Sequence, residues 1–316
     1  MRRPPKYGVS LTRVNKAQCT PLGGGAARYR VPVTAVEEAT GSASGPAGAL
    51  QPRQLIVTLY GLYAREHGSW LSIAAVVRLM AALGVEEPAV RSSISRLKRR
   101  GLLDARRVDG VAGYALTEVA QEILADGDAR IFGRRRAEAS DGWLLVVFSV
   151  PESERDKRHQ LRSLLTRLGF GTVAPGVWVA PGHLAEEAAE VLDRRDLAGY
   201  VELFRGASLA LGDVRGHVDR WWDLDQLHDR YAEFLDRQEP VRERRSGADG
   251  AAPEPAFADY VRLLTDWRRL PYADPGLPLD LLPGDWNGAR AADLFLELRD
   301  RLDGPARAYA RRLIDP

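Results

Sequence analysis

Residues 86–116 constrain the fold more than any other part of the chain, because an amphipathic helix is followed there directly by a hairpin pattern. Two acids and Pro88 predict the helix start, since acids favour the positive end of the helix dipole and proline is tolerated in the first turn. Gly101 is placed to end the helix in the left-handed conformation. Helical spacing predicts one buried stripe formed by Val90, Ile94 and Leu97.

The segment after this helix has the pattern of a β-hairpin. Leu102 and Leu103 begin a strand, Asp109 and Gly110 form a polar turn, and a second strand returns through Tyr114. A basic helix followed by a hairpin with a basic tip is typical of a winged helix-turn-helix, which binds double-stranded DNA. The order of these elements therefore predicts DNA binding.

Charge on the helix and hairpin identifies the candidate contacts. Between Pro88 and Gly101 there are five basic and no acidic side chains. Serines beside arginines suit a major groove, because serine permits close approach and arginine can form two hydrogen bonds to guanine. Flanking bases and those of the hairpin are expected to contact phosphates. The predicted DNA-binding residues are Arg91, Ser92, Ser95, Arg96, Lys98, Arg99, Arg100, Arg106 and Arg107.

A solvated basic face on an ordinary surface helix is the alternative interpretation of this segment. The chain contains 41 arginines and 4 lysines, so part of the basic excess reflects the general composition. The hairpin at the expected distance from the helix favours DNA binding over this alternative.

Charge is unevenly distributed along the 316 residues, although the net charge is only +2. Residues 1–50 carry 7 basic and 2 acidic side chains, residues 51–136 carry 14 and 9, and residues 137–316 carry 24 and 32. A basic front half favours a polyanionic partner at that end of the chain.

Several classes of site are not supported by the sequence. Cys19 is the only cysteine, so neither an intrachain disulfide nor a cysteine metal site is expected. The five histidines lack zinc-site spacing, and no nucleophile elbow or phosphate-binding loop is present. We therefore expect no catalytic residues, no metal and no cofactor. The apolar run 143–150 is too short to span a bilayer, which favours a cytoplasmic protein without a membrane partner.

Periodicity and composition divide the chain into four parts of an α+β protein. Strand and helix patterns in the third part follow the order β-α-β-β-α-β, which is typical of a ferredoxin-like domain. Two helices on one face of that sheet would leave its other face free for a partner. The predicted parts are a disordered basic tail (1–50), a winged helix-turn-helix domain (51–136), a ferredoxin-like domain (141–212), and a helical C-terminal domain (213–316) with a flexible loop at 238–256.

Five segments in one order resemble the PaaX-like family of transcriptional regulators, the repressors of phenylacetic acid degradation. The resemblance covers about residues 52–316, and the tail before it lies outside. It implies a homodimer that binds a palindromic operator of a catabolic operon for aromatic acids and releases it on binding an acyl-CoA such as phenylacetyl-CoA. The segments are PAVRSSISRLKRRGLL (88–103), GYALT (113–117), GWLLVVFSVPES (142–153), LRSLLTRLGFGTVAPGVWVAP (161–181) and DPGLPLDLLPGDWNGARA (274–291).

An acyl-CoA effector needs an apolar slot and cations for its phosphates. Tryptophans and arginines in the C-terminal part offer both, although each tryptophan can equally be a core residue. The predicted effector-binding residues are Trp221, Trp222, Trp267, Arg268, Arg269 and Trp286.

Two further function classes remain open. The resemblance also implies that the central domain is related to CRISPR-associated ribonucleases, so a metal-dependent enzyme that cleaves RNA or DNA is one alternative. In those relatives an acid at the end of the first strand holds metal, whereas here the first acid, Glu152, follows Pro151. We therefore interpret the central domain as a scaffold. A protein-interaction module, in which the winged helix packs against protein, is the other alternative.

Overall fold

Two compact units emerge from a computed structural model that describes residues 11–13, 50–133, 135–207, 214–245 and 252–315. Unit 1 comprises the described residues of 1–30, 134–227 and 272–285, and unit 2 comprises those of 31–133, 228–271 and 286–316. The chain contains helices together with two antiparallel sheets, so the predicted α+β class is confirmed.

Ten α-helices of eight or more residues are labelled in chain order within the described residues, and a short unlabelled helix covers Leu270–Ala273. They are α1 (Pro52–Leu59), α2 (Ile73–Ala81), α3 (Glu87–Arg99), α4 (Glu118–Phe132), α5 (Arg155–Arg167), α6 (Ala185–Arg194), α7 (Val214–Trp221), α8 (Leu224–Arg244), α9 (Pro253–Trp267) and α10 (Asn287–Ile314). The eight strands are β1 (Leu11–Arg13), β2 (Trp70–Ser72), β3 (Leu103–Val108), β4 (Val111–Leu116), β5 (Trp143–Phe148), β6 (Gly171–Ala174), β7 (Val177–Pro181) and β8 (Val201–Gly206).

Unit 1 is built on a five-stranded antiparallel sheet with the order β1-β8-β5-β7-β6. From β5 to β8 the chain follows the predicted order of strands and helices. Leu144 and Val146 point from the central strand into one core with the leucines of α5 and α6. A tight turn joins β6 to β7, and Gly176 in this turn has a φ of 78°.

The opposite face of this sheet is covered in part, which differs from the free face that we expected. Trp143 contacts Trp221 and Trp222, with ring centroids 6.0 and 6.3 Å apart. Gly171 leaves room for Trp222, because a Cβ there would lie 2.7 Å from the indole. Alternation along β5 explains this arrangement, since Trp143 and Leu144 necessarily point to opposite faces.

The predicted disordered tail requires a correction at 11–13. These residues form β1, which pairs with β8 in the register Leu11↔Gly206, and the guanidinium of Arg13 lies 2.7 Å from the carboxylate of Glu202. A strand of three residues is too short for its alternation to show in the sequence. The rest of the predicted tail lies outside the described residues, apart from Leu50.

Unit 2 combines α1–α4 and the small sheet β2-β4-β3 with most of the C-terminal helices. The first described element of this unit is α1, which begins at Pro52. The helix continues beyond Leu59 through a π-helical turn (Tyr60–Ala64) and a 3₁₀ turn (Arg65–His67). Helix α9 packs against α10 and α1, and α10 also packs against α2. The residues of the predicted C-terminal domain are therefore divided between the two units, and the domain at 213–316 remains a prediction.

The predicted flexible loop at 238–256 is wrong in its extent. Helix α8 continues to Arg244 despite Pro240, and α9 already begins at Pro253. Tertiary contacts outweigh the proline, because Gln238 and Val241 are buried and Arg245 binds Asp259 at 2.8 Å. Residues 246–251 lie outside the described residues.

Candidate nucleic-acid interface

Helix α3 is anchored in unit 2 by its predicted apolar stripe. Val90, Ile94 and Leu97 are all buried. The helix ends as predicted at Gly101, whose φ is 69°. There the amide of Leu102 donates to the carbonyl of Leu97 at 3.0 Å, which closes the last turn before the hairpin begins. The orientation of α3 is therefore fixed by the packing of its apolar stripe and by the hydrogen bond at its C-terminus.

Opposite the stripe, α3 presents a basic and hydroxyl-bearing face to solvent. Six of the predicted contact residues on this helix are exposed, and Arg100 is half-buried. The exposed six are Arg91, Ser92, Ser95, Arg96, Lys98 and Arg99. Contact of this face with DNA remains a prediction.

The bases of α3 differ in their partners within the protein. Arg91 is ion-paired with Glu87, its Nε donating to the carboxylate at 2.8 Å. The ammonium of Lys98 lies 5.8 Å from the ring centroid of Tyr114. Within the described part of the chain, the guanidinium groups of Arg96 and Arg99 have no such partner. Their donors are therefore available to an external acceptor.

The hairpin β3–β4, which directly follows α3 in sequence, carries two further arginines. Val108 pairs with Val111 across a two-residue turn in which Asp109 and Gly110 both have positive φ, 49° and 80°. That backbone is the hairpin turn that Asp-Gly favours. Arg106 and Arg107 are exposed, and Arg107 donates to the carbonyl of Gly110 at 2.9 Å.

Trp70 lies in β2, the strand that pairs with β4 of the hairpin, and it packs against the hairpin. The sequence did not identify this residue. Its indole donates to the carbonyl of Arg106 at 3.2 Å and lies over Gly113, where a Cβ would be 2.4 Å from the ring. The only sequence signal was a glycine inside a strand, which often marks the close approach of another group.

Replacing Gly113 with alanine is expected to lower the free energy of unfolding by about 1–3 kcal/mol, because the added methyl overpacks this site. The new Cβ would meet both the indole of Trp70 and the carbonyl oxygen of Leu71 at 2.4 Å. Chemical denaturation of the purified protein measures the change. Gly304→Ala is the control, since its Cβ meets nothing within 4 Å. Equal stability of the two variants would contradict the packing described for Trp70.

Two hydroxyl groups connect the hairpin with its surroundings. Thr117 is the N-cap of α4, and its oxygen accepts from the amide of Ala120 at 3.1 Å. The same hydroxyl donates to the carbonyl of Gly101 at 2.7 Å and so joins α4 to the end of α3. Tyr60 donates to the carbonyl of Tyr114 at 3.2 Å, and burial raises the pKa of Tyr60 well above its ordinary value.

The predicted effector-binding residues are divided between the two units. Trp221 and Trp222 belong to unit 1, where both contact Trp143. The indole of Trp222 also donates to the carbonyl of Gly169 at 2.9 Å. These two tryptophans cover one face of the sheet.

The other four predicted effector residues belong to unit 2 and differ in exposure. Trp267 is stacked on Phe295 with ring centroids 4.5 Å apart, and its indole donates to the carbonyl of Ile131 at 3.1 Å. Trp286 is also buried, and Tyr231 contacts both tryptophans. Arg268 is only 4% exposed and donates to the carbonyl of Gln54, whereas Arg269 is exposed.

The described residues contain neither a cluster of potential metal ligands nor a helix that could span a membrane. No group of three or more His, Cys, Asp or Glu side chains is arranged to hold a metal ion in the parts of the chain that the structure describes. Over the same residues, no helix combines the length and the apolar character needed to cross a bilayer.

Three family models match the chain in succession. Residues 51–120 match "PaaX-like protein", residues 136–218 match "PaaX protein central Cas2-like domain", and residues 222–312 match "PaaX-like protein C-terminal domain". The first match contains α3 and the hairpin, and the second contains the strands β5–β8.

Two individual proteins are also similar to the chain. The chain is 27% identical over 260 residues to the transcriptional repressor PaaX of Escherichia coli strain K12, a match that covers 81% of each protein. A solved structure of an uncharacterized protein from Mycobacterium tuberculosis has a TM-score of 0.53 at 22% identity, covers 83% of this chain and all of that one, and shows likeness of fold alone. With three family models in order from residue 51 to residue 312, the chain belongs to the PaaX-like family.

Proposed function

We propose that this chain is a transcriptional regulator whose residues 51–136 form a winged helix-turn-helix domain that binds double-stranded DNA. The main observation in support of DNA binding is the exposed face of α3, where Arg96 and Arg99 have no protein partner within the described residues. In this proposal α3 enters the major groove, and Arg106 and Arg107 of the hairpin contact phosphates.

The relative from Escherichia coli supports repression as the form of regulation. Its name describes a transcriptional repressor. By similarity, we propose that this chain represses a catabolic operon for aromatic acids. A palindromic operator, a homodimer and release by an acyl-CoA ligand such as phenylacetyl-CoA complete the proposed mechanism. A cytoplasmic location and a ferredoxin-like scaffold at 141–212 belong to the same proposal.

The effect of Arg96 and Arg99 on DNA affinity tests the proposal. A specific duplex is first selected from a random library with the purified chain, and its affinity is compared with that of unselected duplexes. Arg96→Ala and Arg99→Ala are each expected to weaken binding to the selected duplex by about 1–3 kcal/mol, because each loses a base contact. Binding to unselected duplexes is expected to weaken less.

A matched control uses Arg162→Ala, which removes an exposed arginine from α5 in unit 1. This variant is expected to bind the selected duplex with the affinity of the unaltered chain. Equal losses on both kinds of duplex would assign Arg96 and Arg99 to phosphates only. A chain that enriches no sequence from the library would contradict the regulator proposal.

A further inference from the structure

Unit 2 contains a groove of about 760 Å³ that no part of the proposed DNA-binding surface uses. One wall is the helix that continues α1, from Gly61 to Glu66, and the other is the stretch of α10 from Arg299 to Arg307. Phe132, at the end of α4, contributes to the lining. The volume lies within the range of pockets that hold small ligands.

The apolar part of the groove is formed by an aromatic ring and an aliphatic chain. Phe132 is 37% exposed, which is unusual for a phenylalanine, and Leu62 lines the groove beside it. Gly304 leaves open space at the groove, because a Cβ on it would meet no atom within 4 Å. The groove therefore offers apolar surface to a ligand without displacing a core side chain.

The polar part of the groove contains three arginines and three carboxylates, and each carboxylate is bound to Arg299 or Arg307. Asp303 accepts twice from Arg307, at 2.9 and 3.0 Å, and Glu66 is also bound to Arg307. Arg299 uses its Nε and one terminal nitrogen for Asp300, in a pair whose carboxylate is mostly exposed. A guanidinium has five N–H donors, and an exposed ion pair contributes little, so Arg299 can bind a ligand anion at small cost.

A buried hydroxyl behind the same wall lacks an acceptor. Tyr63 is 3% exposed, and within the described residues its hydroxyl has no hydrogen-bond partner. Burial raises the pKa of Tyr63, with the electrostatic influence of Tyr260 and Asp303 adding to the effect, so the group stays protonated. An unpaired buried donor costs free energy, so no hydrogen bond from the Tyr63 hydroxyl stabilises this wall of the groove.

The π-helical turn Tyr60–Ala64 joins this groove to α3 and the hairpin. The turn contains the groove residues Gly61 and Leu62, and its first residue, Tyr60, donates to the carbonyl of Tyr114 in β4. Tyr60 and Leu97 of α3 line one small apolar cavity of about 10 Å³. Single π-helical turns are rare and occur frequently at functional sites.

We propose that this groove binds an amphipathic anion, with an apolar or aromatic body against Phe132 and Leu62 and a carboxylate or phosphate on Arg299. Its occupancy shifts the π-helical turn and lowers the affinity of α3 for DNA. The inference rests on the proposed function and places the effector here rather than at the predicted tryptophans.

Calorimetric titration with three probes tests the site and the source of the anion. Phenylacetate, phenylacetyl-CoA and CoA alone are titrated separately into the full chain. Binding of phenylacetate indicates a free aromatic acid, and binding of the thioester without the acid indicates an acyl-CoA. Each of these results supports the proposed ligand class. A chain that binds its selected duplex and none of the three probes overturns the inference and leaves the proposed function intact.

A steric block locates the bound probe. Gly304→Leu places a side chain in the groove without backbone strain, since no positive φ occurs at this residue. It is expected to weaken probe binding at least about tenfold by filling the space that the ligand needs. Gly199→Leu is the control, because Gly199 of unit 1 also has no atom within 4 Å of its added Cβ. Arg299→Ala is expected to lower the affinity for the probe, whereas Arg290→Ala is expected to leave that affinity unchanged.

DNA release provides the second measurement. For each variant, affinity for the selected duplex is measured with and without the probe, and the ratio of the two values is compared. The probe is expected to lower this affinity in the unaltered chain and in Gly199→Leu, and to lose its effect in Gly304→Leu. Unchanged probe affinity in both Gly304→Leu and Arg299→Ala would place the ligand elsewhere and overturn the inference.

Discussion

Trp267→Ala is expected to lower the free energy of unfolding by about 3–5 kcal/mol, the range for removal of a large aromatic side chain from a core. The indole is buried, lies 4.5 Å from the ring of Phe295 and donates to the carbonyl of Ile131. Alanine would leave a cavity and a carbonyl without its donor. Chemical denaturation with two spectroscopic probes measures the loss.

Trp267→Phe and Trp221→Ala separate the causes of this loss. The phenylalanine keeps part of the stacking and loses the indole N–H and some ring volume, so its cost is expected to be smaller than that of alanine. Trp221 is half-buried, and its removal from unit 1 is expected to cost less than that of Trp267. If Trp267→Ala keeps its stability and loses only effector binding, the prediction from the sequence is correct and the core assignment is wrong.

The tryptophans show where composition ceases to be informative. An apolar slot and a packed core contain the same residue types, so the sequence could not distinguish Trp267 in a core from Trp267 in a pocket. Arg268 illustrates the same limit, since a cation beside a tryptophan predicts a ligand contact, and here it is buried and bonded to the carbonyl of Gln54.

The sequence was sufficient to predict those features that depend only on residues close to one another in the chain. The stripe of α3 follows from spacing, and the end at Gly101 and the caps at Ser72 and Thr117 follow from backbone chemistry within a few residues. Such interactions involve residues close in sequence and are predictable without the rest of the fold.

The groove depends on residues that are distant in sequence. Glu66 and Arg307 are separated by 241 positions, and Thr58 and Thr265 by 207. No periodicity connects such pairs, because their proximity arises from the packing of α9 and α10 against the first helices. The π-helical turn likewise has no pattern of its own in the sequence, since its residues are those of an ordinary helix.

Leu97→Ala is expected to lower the free energy of unfolding by about 2–5 kcal/mol, because the side chain is almost wholly buried between α1 and the hairpin. Arg96→Ala, one residue earlier, is expected to change stability by less than about 0.5 kcal/mol, since its side chain is exposed. Leu97→Met keeps most of the volume and is expected to cost less than about 1.5 kcal/mol.

Stability and DNA binding are thus expected to divide between neighbouring residues of α3. Arg96→Ala should lose affinity for the selected duplex at unchanged stability, because the lost group acts only on the ligand. Leu97→Ala should lose stability first, and its folded fraction should still bind the duplex, because the basic face retains every charge. Denaturation curves and anisotropy titrations at a temperature where both variants are folded distinguish the two effects. A large loss of stability in Arg96→Ala would mean that the exposed face packs against protein, and α3 could then not enter a DNA groove.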